Sequence, residues 1–208
     1  MKRTYRYLVS VLLVLAAGTA FARTVEDYSK TIDIYKKSPA AQGYFGNAYG
    51  YAVFPTIGKA GFIVGGAVGD GQVYVGGKVT GFSTLTQLSV GFQLGGQAFS
   101  QIIFFQDKRV YDEFTTGAFE FDATASAVAI TAGAQASTGG TGNTAGASAG
   151  PATASQASNT YKKGMATFIH AKGGLMYEAS VGGQKFSFMS LEEARAKAAS
   201  EKAKQAGE

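Results

Sequence analysis

Five short runs rich in strand-forming residues follow one another between Gly50 and Phe105, at Tyr51–Phe54, Gly61–Val68, Gln72–Val79, Leu85–Leu94 and Phe99–Phe105, with only turn-forming residues between them. This spacing constrains the fold more than any other feature. Strands so close in sequence pair antiparallel, because a parallel neighbour needs a crossover of a dozen or more residues. Asp70-Gly71, between two such runs, has the composition of a tight hairpin turn. Paired glycines recur at Gly65-Gly66, Gly76-Gly77, Gly95-Gly96, Gly173-Gly174 and Gly182-Gly183. Inside strands such pairs mark bulges and sharp bends, the devices that curl a sheet. The expected architecture is α+β: a curled, mainly antiparallel sheet or partly closed barrel with helices packed on it.

Val25, Tyr28, Ile32 and Tyr35 recur at helical spacing, with Thr24 placed to cap and Lys36 and Lys37 in the last turn. Ser38-Pro39 can open a second, shorter helix carrying Tyr44 and Phe45. Asp107–Thr116 reads as a third, with Val110, Tyr111 and Phe114 turned inward and Gly117 ending it. Strand character returns at Phe119–Ile130, Met165–His170, Gly174–Val181 and Lys185–Phe188. The interval Gly133–Asn159 is almost wholly Ala, Gly, Ser and Thr, and cannot bury enough surface to offset its ordering entropy, so it is expected to be a flexible loop. Ser190-Leu191-Glu192-Glu193 is a capping box that opens a polar C-terminal helix.

Lys2, Arg3 and Arg6 precede an apolar run from Tyr7 to Ala17, and Ala20-Phe21-Ala22 supplies a small-residue cleavage site. This is the pattern of a secretory signal peptide, too short for the roughly 20 apolar residues of a spanning helix. The expected organisation is a signal peptide over 1–22, a single domain over 23–189 and a polar helical tail over 190–208, with the product periplasmic or secreted after cleavage at Ala22. The formal charge is +5, but three of the basic residues lie in the leader, so the remainder carries an excess of only two. That is far from the dense basic stripe of a nucleic-acid binder, and no nucleic-acid partner is expected. Cysteine is absent, which excludes disulfides and thiol chemistry.

Catalytic and cofactor motifs fail on context. Gly146-Ala147-Ser148-Ala149-Gly150 matches a nucleophile elbow but sits in the small-residue tract rather than at a strand-to-helix turn. His170 is the single histidine, so imidazole and thiolate cannot build a zinc site. Gly66, Gly69 and Gly71 reverse the dinucleotide spacing, and Gly77-Lys78 lacks the upstream glycine of a phosphate loop. Asp112-Glu113 and Glu192-Glu193 lie on polar helix faces. No enzyme activity, metal or cofactor is expected.

Several ordered motifs carry a family resemblance. Tyr49-Gly50-Tyr51-Ala52-Val53-Phe54-Pro55, Lys59-Ala60-Gly61-Phe62-Ile63-Val64-Gly65-Gly66 and Gly69-Asp70-Gly71 are followed by Gly81-Phe82-Ser83, Gly91-Phe92-Gln93-Leu94-Gly95-Gly96-Gln97, Ile102–Phe105 and His170-Ala171-Lys172-Gly173-Gly174-Leu175. In this order they resemble the SYLF domain, also called the lipid-binding or actin-regulator domain, over roughly Val25–Phe188. The resemblance implies a non-enzymatic module that binds phospholipid. Eukaryotic relatives also bind actin, which is not expected as a partner in a periplasm. Where many members carry an acidic residue in a G-A-D-A-S pattern, this chain has Asp122-Ala123-Thr124-Ala125-Ser126, with Thr124 in its place.

The leading expectation is therefore an envelope protein that binds anionic phospholipid or a membrane surface at a basic, glycine-rich face. The candidate cations are Lys59, Lys172, Lys78, Arg109 and Lys185, and of these Lys59 and Lys172 fall within the family-like motifs. Phe62, Phe92 and Phe104 are candidate apolar contacts. The alternatives are an outer-membrane β-barrel, which would explain aromatic strands and secretion, and a structural envelope protein.

Overall fold

The computed structural model describes residues 23–61, 64–90, 97–121, 127–130, 161–172, 181 and 183–205. The expected signal peptide over 1–22, Phe62, Phe92, the 122–126 and 133–159 intervals and most of the expected Gly174–Val181 strand lie outside them. The described elements are β1 (Gly50–Gly61), β2 (Val64–Val75), β3 (Lys78–Val90), β4 (Gln97–Phe105), β5 (Phe119–Glu120), β6 (Val128–Ile130), β7 (Met165–Lys172) and β8 (Gln184–Ser190), with helices α1 (Ser29–Lys36), α2 (Tyr44–Asn47), α3 (Lys108–Phe114) and α4 (Leu191–Gln205).

The strands form one sheet in the order β5-β8-β3-β2-β1-β4-β7-β6. Every pairing is antiparallel except β6 with β7. β1, β2 and β3 run as a meander and β4 returns beside β1, a Greek-key order. The expected α+β sheet is thus present, and it curls. β4 and β8 are four strand spacings apart along the sheet, about 19 Å if it were flat. Yet Gln101 Nε2 of β4 donates to Gln184 Oε1 of β8 at 2.9 Å. The sheet has bent into a half-barrel whose walls touch across the interior.

The bend has a local cause in Pro55. β1 is central, flanked by β2 and β4, where a residue without an N–H fits only at a bulge. The register shifts there on both sides: Val53 faces Gln72 but Thr56 faces Asp70, and Phe54 faces Gln101 but Ile57 faces Phe99. Opposite the bulge stands Gly71, where a Cβ would lie 2.6 Å from both the Phe54 ring and the Val53 carbonyl oxygen. Only hydrogen fits.

The Asp70-Gly71 hairpin expected from sequence is not formed: both residues lie inside β2, paired to β1 and β3. The turn falls at Gly76-Gly77, with φ of +56° and +75°. Both glycines take their positive φ without strain, and what keeps Asp70-Gly71 from turning is its place in the ladder, Asp70 paired with Thr84 and Gly71 with Ser83. The first helix also begins later than its spacing suggests. Residues 23–28 are held off the helical path by tertiary bonds, Gln72 Nε2 to the Glu26 carbonyl and Arg23 to Asp70, and Val25 is 55% exposed. Asp27, rather than Thr24, accepts from the first helical amide, Ser29 N–H, at 2.9 Å. The second helix shrinks to a single turn after a run of turns from Pro39.

Two apolar clusters occupy the two faces. On the inner face Phe54, Ile57, Leu85, Ile103, Phe105 and Phe186 meet α3, whose Val110 and Phe114 enter from one end of the half-barrel. Asp107 caps that helix by accepting from Val110 N–H at 3.0 Å. On the outer face Ile32 and Tyr35 of α1 and Tyr44 of α2 cover Val53, Ile102, Phe104 and Phe168. The capping box opening α4 is reciprocal: Glu193 N–H donates to Ser190 Oγ at 3.1 Å and Ser190 N–H to Glu193 Oε2 at 2.8 Å. That helix, beside β3 and β8, buries only Ala194. No helix among the described residues is long and apolar enough to cross a membrane.

Candidate functional site

The outer face changes character at the Pro55 bulge. On the helix side it is aromatic and covered. On the other side the same strands present Thr56, Gly58, Val68, Asp70, Thr86 and Lys172, all exposed. Lys172 of β7 pairs with Ala98 of β4, which pairs with Gly58 of β1. These two small residues leave room for the lysine chain to lie across β4, and its Nζ donates to Thr56 Oγ1 at 2.6 Å. A cation is thereby held flat over a strand surface, with open space above Gly58.

Asp70 sits on the same exposed half, accepting from Thr84 Oγ1 at 2.8 Å and from the Arg23 guanidinium at 2.8 Å. Arg23 also donates to Thr84 Oγ1. This carboxylate is thus neutralised in place, and Lys172 is left as the cation that makes no ion pair among the described residues of this half. At the boundary with the covered half, Tyr35 is fully buried with its hydroxyl 3.0 Å from Ser100 Oγ. Burial raises the Tyr35 pKa well above its ordinary value and keeps the phenol neutral. His170 lies alongside, its Nδ1 buried with no hydrogen-bond partner among the described residues. Burial, followed by the charge of Lys172, lowers the His170 pKa.

The candidate cations read from sequence do not gather in one place. Lys59 and Lys172 lie toward the same end of the sheet, Lys59 opposite Ala67 and Gln97, one step out of register from the Gly58–Ala98–Lys172 line. Lys78 follows the Gly76-Gly77 turn at the other end. Arg109 is on α3, 3.6 Å from Glu113 and 3.9 Å from Asp107. Lys185 on β8 pairs with Glu120 at 3.4 Å. Phe104 is fully enclosed, its ring centroid 4.9 Å from Phe45 and 5.3 Å from Tyr44, so a ligand reaching it would have to part the helix layer from the sheet. Phe62 and Phe92 lie outside the described residues.

Thr56, Arg23, Asp70 and Thr84 were not singled out as site residues by sequence reasoning. Thr56 and Lys172 are 116 positions apart, and only the register joins them. A weak signal existed in Thr84 and Thr86, two residues apart on β3 and so on one strand face. No group of three or more His, Cys, Asp or Glu among the described residues is placed to hold a metal ion.

Against known proteins, the chain is 28% identical over 157 residues to Beta cell expansion factor A of Aeromonas veronii, a match covering 74% of this chain and 51% of the relative. The chain therefore spans about half the length of the curated relative it matches. No family model matches the chain. The weak likeness supports a SYLF-like relationship of the kind the motifs suggest.

Proposed function

We propose that this chain is a non-enzymatic phospholipid-binding protein of the bacterial cell envelope, meeting anionic headgroups at the exposed half of the outer face, toward the Lys59 and Lys172 end. The observation that supports this most directly is Lys172 reaching across β4 at Ala98 to Thr56, a cation on a strand surface with open space above the neighbouring Gly58. A phosphate can accept from Nζ and from a hydroxyl there while approaching the backbone closely. The motif resemblance and the weak relative are consistent with the same reading. Anionic phospholipid is the partner, without nucleic acid, actin or a cofactor.

A membrane-spanning barrel, the rival reading, presents an apolar band outward. The outward surface here carries Asp70, Thr56, Thr86 and Lys172 on one half and packed helices on the other, which favours a peripheral protein. A purely structural envelope protein has no need of a poised cation. Secretion is part of the proposal: sequencing of the exported protein should find Arg23 as the first residue.

The test is flotation with vesicles of phosphatidylglycerol or phosphatidylcholine. Lys172→Glu should abolish the preference for anionic vesicles and leave circular dichroism unchanged, with the largest difference at low salt, where exposed charges are least screened. Lys78→Glu and Lys185→Glu, elsewhere on the surface, should bind nearly as the parent does. Binding indifferent to Lys172→Glu and to salt would overturn the electrostatic site.

A further inference from the structure

We infer that the lipid is engaged only at its headgroup, its acyl chains remaining in the bilayer, so that the protein is a surface binder and not a lipid carrier. This rests on the lipid-binding reading above and deepens it.

The half-barrel interior is the obvious place to hold an acyl chain, since its walls are apolar and a carrier needs a preformed cavity of some hundreds of cubic ångströms. Among the described residues that interior is filled. Phe54, Phe105, Phe114 and Phe186, from β1, β4, α3 and β8, are each no more than 2% exposed. Their ring centroids stand 4.8 Å apart for Phe105 and Phe114, 5.2 Å for Phe114 and Phe186, and 5.6 Å for Phe54 and Phe186, contact distances across the curl rather than around it.

Beside the rings, Gln101 and Gln184 form a reciprocal amide pair, Gln101 Nε2 to Gln184 Oε1 at 2.9 Å and Gln184 Nε2 to Gln101 Oε1 at 3.2 Å, both side chains fully buried. A hydrocarbon chain threading this level would part the pair and leave two amides against hydrocarbon, which is strongly unfavourable. The poised cation also lies on the wrong side for carriage. Lys172 reaches Thr56 on the outer face, whereas the interior lies against the inner one, so a headgroup bound at Lys172 has a hydrogen-bonded sheet between it and the interior.

The experiment uses the mature full-length chain in three measurements. Flotation with phosphatidylglycerol vesicles reports binding. Transfer of fluorescent phosphatidylglycerol from donor to acceptor vesicles reports extraction. Native mass spectrometry after incubation with the same lipid reports carriage. The expected result is flotation, transfer at the protein-free rate, and a native mass equal to that of the chain alone. A one-to-one lipid adduct, or transfer several-fold above the protein-free rate, would overturn the inference even with flotation intact. Absence of flotation on either vesicle type would instead remove the lipid-binding reading, and this inference with it.

Discussion

The two halves of the outer sheet face are built from the same four strands, β1, β2, β4 and β7, and differ completely. Before Pro55 their outward residues are Val53, Tyr74, Ile102, Phe104 and Phe168, roofed by α1 and α2. Beyond it they are Thr56, Gly58, Val68, Asp70 and Lys172, exposed. One bulge thus separates a half whose chemistry is packing from a half whose chemistry is open to a partner. A strand can serve both ends only if its composition switches along its length, and the outward residues of β1 switch across the bulge, from Val53 to Thr56.

The largest effect should come from breaking the covered half. Phe104→Ala removes a ring packed among Tyr44, Phe45, Tyr51 and Phe168 and should cost about 3–5 kcal/mol. Thr56→Ala, on the exposed half of the neighbouring strand, removes only a surface acceptor of Lys172 and should stay within about 0.5 kcal/mol. Urea titrations of the two variants measure this contrast directly, and comparable losses would show that the exposed half is in truth packed.

A second contrast uses glycines on either side of the bulge. Gly71→Ala drives a Cβ to 2.6 Å from the Val53 carbonyl oxygen, a backbone atom that cannot swing aside, and should destabilise by about 1–3 kcal/mol through forced shifts of β1. Gly58→Ala meets nothing within 4 Å and should be neutral or stabilising by up to about 1 kcal/mol, because it restricts the unfolded chain. Equal melting temperatures for the two would mean that the bulge relaxes freely and does not set the bend.

How far this division could be read beforehand follows from which interactions are local. The capping box at Ser190 and Glu193 and the Asp107 start of α3 were legible, because each partner lies within three or four residues of the other. The antiparallel pairing was legible from run spacing, whereas the bend falls at Pro55 and not at the described glycine pairs, since Gly65-Gly66 keeps register and Gly76-Gly77 forms a turn. The turn at Gly76-Gly77 was passed over for Asp70-Gly71 because both dipeptides have turn composition, and only cross-strand pairing of Asp70 with Thr84 decides between them. The Lys172–Thr56 bond, the Arg23–Asp70 clamp and the separation of Lys78, Arg109 and Lys185 from Lys172 depend on register and on a bulge that shifts it by one residue. No local pattern carries that information, whereas Lys59 and Lys172 were singled out together only because both fall within the family-like motifs.

The smallest expected effect probes the boundary between the halves, at His170, whose cross-strand neighbour is Ser100. The groups near its ring are Lys172, which is charged, and Tyr35, which burial keeps neutral. Its pKa is lowered from 6.5, first by burial and then by Lys172, so the unfolded chain takes up a proton before the folded one does. With more protons bound to the unfolded state, stability falls as pH drops below 6.5, and the loss stops growing once the folded imidazole is also protonated. Above that window the residue is neutral in both states and contributes no slope. His170→Gln should therefore flatten the stability profile as pH falls through 6.5 without changing it at pH 8. Lys172→Ala should leave a shallower slope of the same sign, because it removes the second cause and keeps the first. If Lys172→Ala flattened the profile as fully as His170→Gln, the shift would be wholly electrostatic. The imidazole would then stand in water, and the dry boundary would begin one residue nearer the helices.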